Sequence, residues 1–182
     1  MVTIVGISGS TRRGSFNSYL LRALAAAAPQ DVTVRIESIA AIPLYNGDEE
    51  AAHGIPEPVA KLKDAIASAQ GLLFVTPEYN NGIPGVAKNA IDWCSRPPAD
   101  VPRVFRDKPV AIAGASPGGF GTVLSQNAWL PVYRTLGANL YTGKLLVSRA
   151  SNVFDANGNV TDAAVRDSLP KFMAGFVAFI NG

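Results

Sequence analysis

Val2-Thr3-Ile4-Val5-Gly6-Ile7-Ser8-Gly9-Ser10-Thr11-Arg12-Arg13-Gly14-Ser15-Phe16-Asn17-Ser18 joins a β-branched run to a stretch in which Leu20, Leu21, Leu24 and Ala28 recur on one helical face. A strand, Val2 to Ile7, therefore turns directly into a helix through glycines and hydroxyls. The same alternation continues along the chain. Val32 to Ile36, Leu72 to Thr76, Val110 to Ala115 and Leu140 to Val147 read as further strands. Between them, Val59, Leu62 and Ile66 mark a second helix, and Val86, Ala87, Ala90, Ile91 and Cys94 a third. A fourth is expected from about Thr122 to Leu136. Val165, Leu169, Phe172, Phe176 and Phe179 form the stripe of a fifth, which Pro170 should kink or interrupt by removing an amide donor. Five strands alternating with five helices require a parallel sheet covered on both faces.

Composition sets bounds on function. The chain has 182 residues, 48% of them hydrophobic and 16% charged, which suits one packed α/β domain spanning residues 1–182. No apolar run approaches the length of a membrane span, and Met1 leads into a strand without a charged and apolar leader, so an unprocessed cytoplasmic protein is expected. The formal charge of +2 comes from scattered residues, with no basic tract for nucleic acid or an anionic membrane. One cysteine, Cys94, rules out an internal disulfide, and one histidine, His53, leaves no metal-ligand cluster. Ala40 to Pro58 reads as a solvated loop, Arg96 to Pro109 as a segment too proline-rich for regular structure, and Asp155 to Gly158 as a tight turn.

Ligands of open parallel sheets bind outside the carboxyl ends of the strands, where the winding reverses. The loops after strands one, three and four therefore carry the functional reading. The first, Gly6 to Ser18, has the composition of a phosphate cradle: turn glycines, hydroxyl and amide donors, a helix start, and Arg12. It is neither the Gly-x-Gly-x-x-Gly dinucleotide pattern nor a nucleotide P-loop, so a monophosphate such as that of FMN fits it best. A plain reading, in which Ser15 or Asn17 only caps the helix, leaves the other donors beside Arg12 unexplained. The second loop, Thr76 to Gly85, could present amides and the Tyr79 ring to a flat heterocycle. Glu78 is read there as a positioning or interface residue, because hydride passage from nicotinamide to a flavin ring needs position more than a protein base. In the third loop, Ala115 to Gly121, glycines again allow close approach and Phe120 could pack on an aromatic ring.

Gly9-Ser10-Thr11-Arg12-Arg13-Gly14-Ser15-Phe16-Asn17, Pro77-Glu78-Tyr79-Asn80, Pro84-Gly85 and Lys88-Asn89-Ala90-Ile91-Asp92-Trp93 together resemble the NADPH-dependent FMN reductase family, in its branch of bacterial quinone, chromate and azo-dye reductases. The resemblance implies a flavodoxin-like three-layer sandwich with a five-stranded parallel sheet of order 2-1-3-4-5. It implies FMN as cofactor and NADPH or NADH as electron donor, with hydride passing to FMN and then to quinones, free flavin, azo compounds or chromate by ping-pong kinetics. Ser10, Arg12, Ser15, Asn17 and Ser18 would surround the phosphate, with Phe16 among the cofactor-binding residues of the same motif. Pro77, Glu78, Tyr79 and Asn80 would border the isoalloxazine and ribityl chain, and Ser116, Gly118 and Gly119 would complete the pocket. No protein side chain is assigned a catalytic role, since FMN carries the chemistry.

The family also implies a homodimer, or a pair of dimers. Where some relatives carry an Arg and a Tyr in the fourth helix, this chain has Leu124 and Asn127, so the resemblance carries the dimer further than the tetramer. Set against this reading are a flavodoxin-type electron carrier, which a slightly basic chain suits poorly, and a non-catalytic flavin-binding protein. Cys94 is expected to be an inert buried thiol, and Trp93 and Trp129 to pack in a core or interface. Lys88 and Asp92 are spaced to pair along a helix.

Overall fold

A computed structural model describes residues 1–182. In chain order its elements are β1 (Val2–Ser8), α1 (Phe16–Ala26), β2 (Val32–Glu37), α2 (Gly47–His53), α3 (Glu57–Ser68), β3 (Gly71–Val75), α4 (Gly85–Cys94), α5 (Val101–Val104), β4 (Pro109–Ala115), α6 (Val123–Thr135), β5 (Asn139–Leu140), β6 (Leu145–Val147), α7 (Ala150–Val153) and α8 (Ala163–Asn181). The strands pair in the order β2-β1-β3-β4-β5, all parallel, with β6 also on the outer edge of β4.

Alternation along the central strands builds two cores. Ile4, Leu73, Val75, Ala111, Ala113 and Ala115 face α1 and α8 on one side. Val5, Ile7, Leu72, Phe74, Val110 and Ile112 face α3, α4 and α6 on the other. Because both faces of β3 are covered, every residue in it is buried, and it reads as a continuous apolar run rather than an alternation. This is the flavodoxin-like three-layer arrangement that the sequence implies.

Several expectations change in detail. The fifth strand is not one run from Leu140 to Val147: Tyr141 to Lys144 interrupt it, leaving β5 and β6 as separate pieces on the edge of β4. Ala28 lies just beyond the end of α1, and Val86 is 43% exposed rather than part of the buried face of α4. The supposed loop from Ala40 to Pro58 contains α2. It buries none of its residues, so it shows no apolar period; its signals are Asn46, whose side chain accepts the Asp48 N–H at 2.9 Å, and acidic residues in the first turn. His53 ends this helix and meets Glu49 at 3.1 Å. The proline-rich segment after Arg96 holds a turn of 3₁₀ helix (Pro98–Asp100) and then α5. Pro98 and Pro102 occupy first-turn positions, where a missing N–H costs nothing. Pro170 lies within α8, which runs on through it.

The segment around α2 is strapped to α4. Asn89 and the Trp93 indole donate to the Pro43 carbonyl at 2.8 and 2.9 Å, and the Tyr45 N–H donates to Asn89 at 2.8 Å. The Arg96 Nε–H is shared between the two carboxylate oxygens of Glu50, at 2.9 and 3.2 Å. Lys63, 2% exposed, meets Asp100 at 2.6 Å and also donates to the Arg96 carbonyl. The hydrogen bond from Lys63 holds the Asp100 carboxyl below its ordinary range, and that from Arg96 does the same for Glu50.

Two outcomes follow from this packing. A Cβ on Gly114 in β4 would collide with the Thr76 carbonyl and the Thr122 hydroxyl, neither a flexible chain end. Gly114→Ala should therefore lower stability by about 1–3 kcal/mol in urea unfolding. The lowered carboxyls of Asp100 and Glu50 contribute stability that is present above the ordinary carboxylate range and is lost as pH falls toward their folded values. Asp100→Asn should flatten that acid loss, measured by urea midpoint against pH.

Candidate functional site

The carboxyl ends of β1, β3 and β4 bring the three loops to one edge of the sheet. In the first loop, Ser15 caps α1, its hydroxyl accepting the Asn17 N–H at 3.2 Å. The Ser10 hydroxyl accepts the Arg12 N–H at 3.3 Å. The backbone N–H groups of Ser10, Thr11, Arg13, Gly14, Ser15, Phe16 and Ser18 have no acceptor within the protein. Such a run of unclaimed donors in one turn and the helix start that follows it suits an anion. Arg12 leans back across this turn: Nη2 donates to the Gly14 carbonyl at 3.2 Å, and the guanidinium lies 5.8 Å from the centre of the Phe16 ring. Phe16 is itself stacked on Phe154 at 5.9 Å, so it supports the arginine from beneath. Ser18 donates to the Ser8 hydroxyl at 3.0 Å on the side of the loop facing β2, where Ser10 and Ser18 line a cavity of about 230 Å³ with Glu37 and Ser38.

Asn17 has a different occupation from the one its place in the motif suggests. Its side-chain amide donates to the Ala115 carbonyl at 2.9 Å and accepts the Ala115 N–H at 2.8 Å. With Asn17 only 3% exposed, this double bond ties the head of α1 to the end of β4 and so sets the spacing between the first and third loops. Leaving the Ala115 groups unpaired would cost about 1–3 kcal/mol each.

The second loop ends in a tight hairpin. Tyr79 and Gly82 exchange backbone hydrogen bonds at 3.2 and 3.0 Å, and Asn80 and Asn81 both have positive φ, 51° and 59°, which is the type I′ geometry that asparagine tolerates. Pro77 is buried at the base, and Tyr79 is 47% exposed with its hydroxyl 3.4 Å from that of Ser10. Glu78 does not point into solvent: one carboxylate oxygen accepts the N–H groups of Leu124 and Ser125 at 2.9 and 3.0 Å, closing the start of α6. In the third loop, Ser116 donates to the Gly121 carbonyl, and the Gly118 carbonyl accepts the Arg149 N–H at 2.9 Å. A Cβ on Gly119 would meet nothing within 4 Å, so the backbone there is bare, with Phe120 84% exposed beside it.

Together these loops offer an anion-binding turn, a bare glycine backbone and a tyrosine on one sheet edge, a donor set that fits a planar ring carrying a monophosphate. No cluster of His, Cys, Asp and Glu could hold a metal ion. Cys94 is fully buried, and burial pushes its thiol up to about 12. Trp93 and Trp129 are likewise core residues, and Lys88 pairs with Asp92 at 2.8 Å. The cross-links made by Asn17 and Glu78 escape sequence reasoning, since both run between residues far apart in the chain.

The fold and these loops define a flavodoxin-like, flavin-binding class of protein. Residues 2–152 match the family model described as NADPH-dependent FMN reductase. An NAD(P)H-dependent FMN reductase of Pseudomonas aeruginosa is 41% identical over 167 residues, covering 91% of this chain and 88% of that one. A 2-hydroxy-1,4-benzoquinone reductase of a Burkholderia species is 39% identical, with 98% and 96% covered. Among solved structures, the flavoenzyme NAD(P)H:(acceptor) oxidoreductase FerB of Paracoccus denitrificans superposes with a TM-score of 0.88 at 32% identity, covering all of this chain and 98% of that one. The chain belongs to the NADPH-dependent FMN reductase family, and is an FMN-dependent NAD(P)H oxidoreductase.

The buried thiol gives a direct check. Cys94 should stay unreactive toward a thiol-specific aromatic disulfide in the native protein at pH 8 and react with one equivalent on unfolding.

Proposed function

We propose that the three loops hold FMN with its phosphate in the first and its ring across the second and third, and that electrons from NADPH or NADH pass through it to small acceptors, quinones foremost. The row of unclaimed amide donors beside Arg12 in the turn after β1 is the observation that carries this placement. Bound FMN would supply the electron chemistry, as a two-electron carrier between nicotinamide and acceptor. The protein binds, orients and leaves one face open. In the first loop, Ser10, Arg12, Ser15 and Ser18 would surround the phosphate, with Phe16 behind Arg12 and Asn17 fixing the turn. Pro77, Tyr79 and Asn80 would border the ring and ribityl chain, with Glu78 at their base, and Ser116, Gly118 and Gly119 would line the other side.

A quinone acceptor is favoured by the names of the Burkholderia and Escherichia coli relatives, the latter a quinone reductase 37% identical to this chain. Free flavin, azo compounds and chromate could draw on the same reduced ring. One face serving donor and acceptor in turn requires ping-pong kinetics, read as parallel lines in double-reciprocal plots. A homodimer is supported by the exposed apolar side chains of Val86 on α4 and of Leu124 and Leu130 on α6. We place the protein in the cytoplasm, as the single buried cysteine and the intracellular donor suggest; no helix is long and apolar enough to cross a membrane.

The decisive experiment is the visible spectrum of protein loaded with FMN and freed of excess. Retained flavin absorbance that NADPH or NADH bleaches anaerobically, and a quinone restores, is the expected outcome. Retention without bleaching by either nucleotide would move the reading to an electron carrier or a flavin-binding protein without turnover. Loss of flavin by folded protein would overturn the placement of the loops. Arg12→Ala should weaken FMN binding about 10- to 100-fold, the equivalent of one charge-assisted hydrogen bond, as measured by quenching of flavin fluorescence.

A further inference from the structure

Helix α6 begins without a cap of its own. Thr122 stands at the N-cap position, but its hydroxyl accepts from the Gln126 side chain at 3.0 Å and bonds no backbone N–H. The cap comes from another loop: Glu78 takes the N–H groups of Leu124 and Ser125. One residue before Pro77, Thr76 makes a second set of links to the same helix. Its buried hydroxyl donates to the Pro77 carbonyl at 2.8 Å, and accepts from the Trp129 indole and the Ser125 hydroxyl, each at 3.0 Å. The base of the second loop is thus held to α6 on both sides of Pro77. The third loop runs directly into α6 through Gly121 and Thr122.

We propose that Glu78 is a positioning residue acting through α6: it fixes the second and third loops as one frame around the flavin ring, and its charge offsets the positive start of the helix beside that ring. The inference rests on the placement of FMN proposed above. A helix start carries about half a positive charge. Left uncapped at the edge of a flavin site, it would favour electron uptake by the ring. A carboxylate bonded to two of its amides cancels that field, so the ring is held at a lower potential and gives up its electrons more readily to an acceptor.

Two variants separate bond from charge. In Glu78→Gln the amide oxygen can accept the same two N–H groups, so geometry is kept and the charge is removed. The flavin midpoint potential should move to a more positive value, while the FMN dissociation constant stays within about threefold of the parent. In Glu78→Ala both bonds go. FMN binding should weaken at least tenfold, and the amides of Leu124, Ser125 and the Tyr79–Gly82 hairpin should exchange with deuterium at least tenfold faster in the apoprotein, with Glu78→Gln restoring slow exchange. An unchanged potential in Glu78→Gln, or unchanged exchange at Leu124 and Ser125 in Glu78→Ala, would overturn the proposal. The exchange measurement uses no flavin, so it tests the frame even if the parent protein fails to retain FMN, an outcome that would instead defeat the placement of the cofactor.

Discussion

Strand β1 has hydrogen-bonded neighbours on both edges and an apolar layer on both faces, and the rest of the structure follows from that position. The chain leaves β1 toward β2 on one side and must return past it to reach β3 on the other, so the winding reverses at its carboxyl end. The first loop is consequently the only one flanked by diverging neighbours, and it is there that the unclaimed amides and Arg12 are found.

Legibility in the sequence tracks the range of the forces involved. Strands buried on both faces and helices with an apolar stripe declare themselves locally, so β1, β3, β4, α1, α3, α6 and α8 are readable from spacing alone. The elements that were missed lack such a stripe. Helix α2 is stabilised by an asparagine cap, an acidic first turn and ties from Glu50 to Tyr45 and Arg96 outside it, none of which has a period. The short α5 is made possible by proline, a residue ordinarily read as a breaker. The interruption of the last strand at Tyr141 to Lys144 is marked only by Thr142-Gly143-Lys144, a short polar triplet that a reading by apolar runs bridges because Leu140, Tyr141 and Leu145 would each suit a continuous strand.

The candidate site divides along the same line. Residue types in the three loops reveal what kind of ligand they suit, because glycine, hydroxyls and arginine carry their chemistry with them. They do not reveal which of those residues face a ligand and which hold the loops. Asn17 and Glu78 belong to the most recognisable motifs in the chain, yet their side chains are spent on Ala115 and on the start of α6. A motif in this fold is therefore a record of scaffold and contact together: one asparagine and one glutamate set the distances at which the remaining residues work.

The burial of the single cysteine has a chemical consequence for a protein read as a quinone reductase. Quinones are electrophiles that add irreversibly to thiolates. In the α4 helix Cys94 is both walled off by the core and kept protonated, so the protein presents no soft nucleophile to the compounds it would meet at every turnover. Resistance to alkylation by electrophiles of this kind is thus built into the packing between α4 and the sheet, and requires no separate protective device.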